Sequence, residues 1–182
     1  MQLVVRGYND GFAFCYKIPE GEGECVNVQS ELTAYNFAGD YTAWFYNGEN
    51  HNIGPEKLTE TDGTRLPVMT VKAGDRHYMA IHEACLETGA PLVLQSKGGE
   101  SLFSVASKPA DLSPGYTSAW RVVLYGTTPG VLTDSHLLEL LNPDPDSRYD
   151  FSWVKPGLAV WDWRINGAVW DGFTYGMSYP SW

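Results

Sequence analysis

The stretch QLVVRGYNDGFAFCYKI, residues 2–18, predicts two strands joined by a turn. QLVVRGY and FAFCYKI are rich in β-branched and aromatic residues, which favour strands, and Asn9-Asp10-Gly11 between them is a turn signal. Comparable segments bounded by Gly, Pro, Asn or Asp follow at about 8–14-residue spacing, a pattern typical of an antiparallel β-sandwich. These segments are SELTAYNF, DYTAWFY, LPVMTVK, HYMAIHEA, PLVLQSK, LFSVAS and AWRVVLYG.

One helix and one domain boundary are predicted near the end of this series. Helical periodicity is best in DSHLLELLNPDP, where Asp134 or Ser135 can cap the start and Pro143 ends the helix. The Pro/Asp-rich stretch NPDPDSRYD follows and is the best candidate linker. We therefore predict a β domain over residues 1–145. Residues 146–182 would form a linker and the short buried-strand pattern LAVWDW.

The charge balance excludes several classes of partner. The chain has 12 Lys and Arg against 22 Asp and Glu, a formal net charge of -10. Nucleic acids and anionic membranes both require basic patches, so neither is expected to bind. Apolar runs stay well short of the ~20 residues of a membrane span. The first residues lack the basic and then apolar pattern of a signal peptide, so the sequence taken literally predicts a cytoplasmic protein.

The side chains with reactive chemistry are dispersed. The three cysteines show neither CxxC nor zinc spacing, and Cys15 reads as a small buried hydrophobe. The four histidines suggest no metal site and no serine triad. Three glutamates read as solvated charges: Glu31, Glu56 and Glu60.

The aromatic content allows two interpretations. Aromatic residues make up 14% of the chain, with seven Trp and eleven Tyr. They could pack a β-rich core, or their flat rings could cover the apolar faces of sugars. Composition alone leaves both open.

The last part of the chain resembles a junction of glycoside hydrolase family 97. Residues 152–157, SWVKPG, and residues 159–163, AVWDW, match the segment that opens the first barrel strand in that family. Three more stretches agree in the expected order: VRGYNDGFAFCY (5–16), HYMAIHEACL (77–86) and SAWRVVL (118–124). The resemblance therefore spans essentially the whole chain.

This resemblance implies a mainly β fold and a carbohydrate-active parent. In the family, a mutarotase-like antiparallel β-sandwich precedes a catalytic (β/α)8 barrel. The chain would then comprise the later part of this supersandwich, incomplete, and the start of the barrel. The parent would hydrolyse α-glucosidic or α-galactosidic bonds in an oligosaccharide or α-glycoside substrate. Because the family's catalytic carboxylates lie on later barrel strands, we assign no catalytic residue and expect an inactive fragment.

Three site residues follow from the resemblance. Glu83 matches a glutamate that reaches from the sandwich to ligate an essential calcium, a role suited to a hard carboxylate oxygen. From spacing alone, Glu83 would be a solvated strand-end residue. Asp162 and Trp163 would bind substrate near the C-terminal end of the first barrel strand. Calcium is expected in the complete enzyme. Because members of this family are typically exported, the resemblance also implies a periplasmic or secreted location.

Two other functions remain open from the sequence. A non-catalytic β-sandwich could bind carbohydrate or another protein through aromatic surfaces. An aldose-epimerase-like enzyme would need a His/Glu pair in one cleft, and the strand neighbours His82 and Glu83 should face opposite ways. An incomplete sandwich would also leave unpaired sheet edges, so the sequence predicts self-association through them.

Overall fold

The computed structural model describes residues 1–87, 90–158, 169–170 and 173–174. The chain divides into two compact units, Met1–Asp144 and Pro145–Trp182. The described residues of the first unit contain twelve strands, two short α-helices and one 3-10 turn, Leu58–Glu60. The strands are β1 (Gln2–Tyr8), β2 (Gly11–Lys17), β3 (Val26–Val28), β4 (Ala34–Asn36), β5 (Thr42–Tyr46), β6 (Ile53–Lys57), β7 (Asp62–Ala73), β8 (His77–Ala84), β9 (Leu94–Lys97), β10 (Leu102–Val105), β11 (Ala110–Leu112) and β12 (Trp120–Gly126).

Ten of these strands form one antiparallel sheet. Its order is β1-β2-β12-β8-β7-β9-β10-β4, with β5 and β6 lying beside β7. The sheet curls at β7, a strand of twelve residues. Residues 62–65 of β7 pair with β9, and residues 69–73 pair with β8. The predicted antiparallel, mainly β fold is confirmed, and the expected sandwich takes the form of a single curled sheet.

Each face of the central strands contributes to its own apolar core. The first core lies on the face that β9 and β10 help to cover, and it contains Phe45, Met69, Ile81, Leu94 and Phe103, among other buried residues. The second lies on the opposite face of β2, β8 and β12 and includes Cys15, Trp120, Val122, Leu137 and Leu141. The prediction that Cys15 is a small buried hydrophobe is confirmed. Alternating burial along these strands, with period two, produces the two faces.

The second core is covered by two helices, α1 (Pro129–Asp134) and α2 (Leu137–Leu141). The sequence predicted a single helix beginning at Asp134 or Ser135. It missed α1, although a proline at the first helical position is a known start signal. The N-cap of α2 is His136, so the predicted cap at Asp134 or Ser135 is wrong, although the Ser135 hydroxyl accepts a hydrogen bond from the Leu137 amide at 3.2 Å.

Short strands in loop-like sequence were also missed. β3 and β11 pair as a separate two-stranded ribbon, and β6, which contains Gly54 and Pro55, pairs with β5.

The second unit contains a small hairpin, β13 (Val169–Trp170) and β14 (Phe173–Thr174). Most of the predicted barrel strand LAVWDW lies outside the described residues. Across the described part of the chain, no helix is long and apolar enough to span a membrane.

Candidate functional site

The candidate site is built around Glu83, close to the end of β8. Glu83 lies directly opposite Arg121 of β12 in the antiparallel register. Residues opposite one another point to the same face of a sheet, so the two side chains meet, with Arg121 Nη1 3.4 Å from Glu83 Oε2. The sheet therefore brings a carboxylate and a guanidinium together from adjacent strands.

A second carboxylate reaches Arg121 from a distant part of the chain. Glu31, in the loop before β4, accepts hydrogen bonds from Arg121 Nε at 3.0 Å and Nη2 at 2.7 Å. This side-on geometry uses two parallel donors and is the stronger way for arginine to bind a carboxylate. The Arg121 side chain is only 4% exposed and that of Glu31 16%. The expectation that Glu31 is a solvated charge is wrong, because Glu31 forms an ion pair with the buried guanidinium of Arg121.

Glu83 also fixes the loop that leads into β9. Its Oε2 accepts a hydrogen bond from the Leu92 amide at 2.6 Å, and the Glu83 side chain is 12% exposed. Glu83 is thus an anchored carboxylate in this structure, and the solvated strand-end interpretation is wrong.

The cluster of Glu31, Glu83 and Arg121, here called the acidic triad, has one more negative than positive charge. Burial raises the pKa of Glu31, but the hydrogen bond and charge of Arg121 outweigh it and leave that pKa below its usual value. Burial lowers the pKa of Arg121, yet its bond to Glu31 and its two carboxylate neighbours raise it overall. Glu31 and Arg121 therefore form a charged pair at neutral pH, and the second carboxylate, Glu83, lets the triad compensate a further positive charge.

Tyrosines adjoin the acidic triad. The Tyr16 and Thr33 hydroxyls are 2.9 Å apart, and the Tyr16 ring meets Phe14 edge to face. The Tyr35 hydroxyl is buried and is the one buried side-chain polar atom without a partner in the described residues. Burial raises the pKa of Tyr35, partly opposed by the charge of Arg121. A buried hydroxyl without a partner is costly and commonly marks a place for a water or a ligand oxygen.

The described residues do not form a calcium site by themselves. Calcium takes six to eight oxygen ligands, and the described residues contain no group of three or more His, Cys, Asp or Glu side chains arranged to hold a metal. Glu83 fits as one hard oxygen donor, within a triad that has negative charge to spare. The predicted substrate-binding residues Asp162 and Trp163 lie outside the described residues.

The neighbouring residue His82 does not join the site. It lies opposite Val122, whereas Glu83 lies opposite Arg121, so the two side chains point to different faces as predicted. His82 is partly buried, and this burial lowers its pKa. An epimerase-like His/Glu pair is therefore not formed by these two residues.

The other two glutamates that the sequence treated as solvated also make contacts. Glu56 Oε1 accepts hydrogen bonds from the Thr61 hydroxyl at 2.8 Å and from Arg65 Nη2 at 3.3 Å. Its side chain is 22% exposed, so the expectation for Glu56 is wrong as well. Glu60 makes only a local contact, accepting from the Lys57 amide at 3.2 Å.

Comparison with known families identifies the first unit. The sequence profile described as glycosyl-hydrolase 97 N-terminal matches residues 1–143. The chain belongs to glycoside hydrolase family 97. Among the curated relatives, a retaining alpha-galactosidase of Bacteroides thetaiotaomicron is 26% identical, over 97% of this chain and 33% of the relative. A probable retaining alpha-galactosidase of Streptomyces bingchenggensis is 31% identical, over 91% of this chain and 26% of the relative.

Solved family 97 structures share the fold. A family 97 enzyme from Pseudoalteromonas sp. strain K8 in complex with acarbose superposes with a TM-score of 0.72 and 26% identity, covering 85% of this chain and 25% of that enzyme. A variant of a family 97 enzyme from the same strain, in complex with panose, gives the same values. The chain therefore spans about a third or less of the length of these relatives.

The sequence singled out Glu83, whose role as a calcium ligand stays a prediction, but not its partners Arg121 and Glu31. Arg121 lies within the apolar strand segment AWRVVLYG, and a charged residue inside a buried strand usually requires a partner. The sequence therefore indicated that Arg121 has a charged partner, without showing which residue it is. No sequence signal pointed to Glu31, which is 90 residues away from Arg121.

Proposed function

We propose that this chain acts as the N-terminal β domain of a glycoside hydrolase that cleaves α-galactosidic or α-glucosidic bonds. The supporting observation is the family 97 match over residues 1–143, together with relatives named retaining alpha-galactosidase. The acarbose and panose complexes of family 97 enzymes support an oligosaccharide substrate. A stand-alone carbohydrate-binding module is not favoured, because these relatives are glycosidases.

We further propose that the chain has no hydrolytic activity alone. Glycoside hydrolysis in most families uses a pair of carboxylates that flank the scissile bond. The acidic triad does not provide such a pair, because Glu31 and Glu83 share one guanidinium and are largely buried. Expected turnover of p-nitrophenyl α-galactoside and α-glucoside by the purified chain is at the background rate, with and without calcium. Turnover that disappears in a Glu83→Gln variant would contradict this proposal.

In the complete enzyme we propose that Glu83 supplies one calcium ligand. Arg121 and the Leu92 amide hold its carboxylate in place, and the excess negative charge of the triad favours a cation. Calcium, when bound, would supply positive charge beside the substrate. Asp162 and Trp163 remain proposed substrate-binding residues.

A chimera can test the role of Glu83. This chain would replace the aligned third of the B. thetaiotaomicron enzyme, and calcium binding would be measured by calorimetry alongside α-galactosidase activity. The Glu83→Gln change is expected to weaken calcium binding at least tenfold. The control is Glu56→Gln, which removes another partly buried, arginine-paired carboxylate and should leave calcium binding unchanged. Equal calcium affinity in both variants would refute the ligand role.

A further inference from the structure

Arg121 is shared unequally between the two carboxylates of the acidic triad. Glu31 accepts hydrogen bonds from Nε at 3.0 Å and from Nη2 at 2.7 Å, in the side-on arrangement. Only Nη1 is left for Glu83. It lies 3.4 Å from Oε2, beyond the usual range of about 2.7–3.2 Å for an N–H···O hydrogen bond. The guanidinium is therefore bound mainly to Glu31.

Glu31 is held in this position by contacts of its loop. The Glu31 amide donates a hydrogen bond to the Ser107 hydroxyl at 2.7 Å. Two residues further on, the Thr33 carbonyl accepts a hydrogen bond from the Val105 amide at 2.9 Å. These contacts fasten the loop before β4 to the last residue of β10 and to the loop that follows it. The ion pair with Arg121 thus forms from a fixed backbone, and only side-chain freedom is lost.

Glu83 depends on Arg121 less than Glu31 does. Its short hydrogen bond comes from the Leu92 amide, 2.6 Å from Oε2. The contact with Arg121 falls on the same oxygen and is the longer of the two. A backbone amide is thus the main anchor of the Glu83 carboxylate, and the charge of Arg121 is directed chiefly to Glu31.

Without Glu31, Arg121 would oppose a cation at Glu83. The remaining pair would be neutral, whereas the present triad has one more negative than positive charge. The two nitrogens that now bind Glu31 would also be free to pair with Glu83, since guanidinium and carboxylate pair readily side-on. Both effects are strong here because the three side chains are largely buried, and salt screens buried charges only weakly.

We propose that Glu31 is a positioning residue that keeps Glu83 available to a cation by binding Arg121. It acts through the guanidinium and does not itself touch the cation. This inference rests on the proposed role of Glu83 as a calcium ligand. It adds the reason why an arginine can lie beside a cation site: a second carboxylate, from a distant loop, neutralises it.

Calorimetry of calcium binding to the chimera with the B. thetaiotaomicron enzyme tests this role. Glu31→Gln is expected to weaken calcium binding at least tenfold, through the loss of a nearby buried charge. The matched control is Glu56→Gln, which removes a comparably buried carboxylate paired with Arg65 and should leave the affinity unchanged. Circular dichroism and thermal unfolding establish that each variant is folded.

A double variant separates this role from a purely structural one. Glu31→Gln combined with Arg121→Met removes one charge of each sign, so one negative charge remains and no guanidinium competes for Glu83. Calcium binding is expected to recover most of the affinity that Glu31→Gln alone loses. A residue needed only for the fold would give no such recovery, because the second change removes a further buried contact.

The 182-residue chain alone tests the unequal sharing of Arg121, without calcium. Double-mutant cycles by urea denaturation combine Arg121→Met with Glu31→Gln and, separately, with Glu83→Gln. The interaction energy of Arg121 with Glu31 is expected to be at least about twice that with Glu83. This measurement does not depend on the calcium role or on the folding of the chimera.

Three outcomes would overturn the proposal. The first is an unchanged calcium affinity in Glu31→Gln when Glu83→Gln weakens binding, which would refute the role of Glu31 and leave that of Glu83 standing. The second is a double variant that binds calcium no better than Glu31→Gln. The third is an interaction energy of Arg121 with Glu83 that equals or exceeds that with Glu31. If Glu83→Gln itself leaves calcium binding unchanged, the proposed ligand role fails and this inference fails with it.

Discussion

At the scale of single residues, Arg121 is the side chain whose loss should matter most. Its removal would leave Glu31 and Glu83 buried with no cation, and breaking a buried pair from one side costs about 3–5 kcal/mol. We expect Arg121→Met to lower the free energy of unfolding by about 3 kcal/mol, measured by urea denaturation. Arg65→Met removes a more exposed pair with Glu56 and should cost clearly less. If both variants lost the same free energy of unfolding, the buried triad would stabilise the fold no more than the Arg65–Glu56 pair does.

Substitution of Tyr35, unlike that of Arg121, should stabilise the fold. Its hydroxyl is buried without a partner in the described residues, and an unsatisfied buried polar group costs about 1–3 kcal/mol. Tyr35→Phe should therefore raise the free energy of unfolding by about 1 kcal/mol. Tyr16→Phe is the control, since its hydroxyl bonds Thr33 and its loss should destabilise. A decrease for Tyr35→Phe would mean that a bound water or ion satisfies this hydroxyl.

At the scale of elements, Gly126 controls how α1 packs against β12. A Cβ at this position would lie 2.5 Å from Val131 Cβ, closer than packing allows. Gly126→Ala should therefore lower the free energy of unfolding by about 1–3 kcal/mol, the usual cost of overpacking. Gly130→Ala, within α1, meets nothing closer than 4.0 Å and should stabilise by up to about 1 kcal/mol through helix propensity. Thermal unfolding of both variants measures these changes. A stability change of the same sign in Gly126→Ala and Gly130→Ala would contradict the packing of α1 against β12.

The elements also show what the sequence could predict. β2, β8 and β12 combine β-forming residues with clear turn signals, and their pattern predicted them correctly. β6 was missed because it contains Gly54 and Pro55, which read as loop. Glu31 and Arg121 meet only because the curled sheet brings the loop before β4 over β12. That contact depends on tertiary structure and has no local pattern.

At the scale of the whole molecule, acid should weaken the fold through Glu31. Its pKa is lower in the folded chain than its ordinary value of 4.5. The stabilisation is therefore fully present above the ordinary pKa and is lost as the pH falls through the folded pKa. Urea unfolding from about pH 6 to about pH 3 should show a decline that is smaller in Glu31→Gln. An identical decline in both proteins would assign the acid sensitivity to other carboxylates.

The strand order has a consequence for how the chain reaches this fold during synthesis. β12 lies between β2 and β8, and the Tyr16 amide bonds the Ser118 hydroxyl across 102 positions of sequence. The β1–β2 hairpin can form as soon as it leaves the ribosome, but one of its sides stays unpaired until β12 has been translated. Contacts this distant slow folding. Nascent chains on neighbouring ribosomes thus have an interval in which their hairpins can meet each other before β12 arrives.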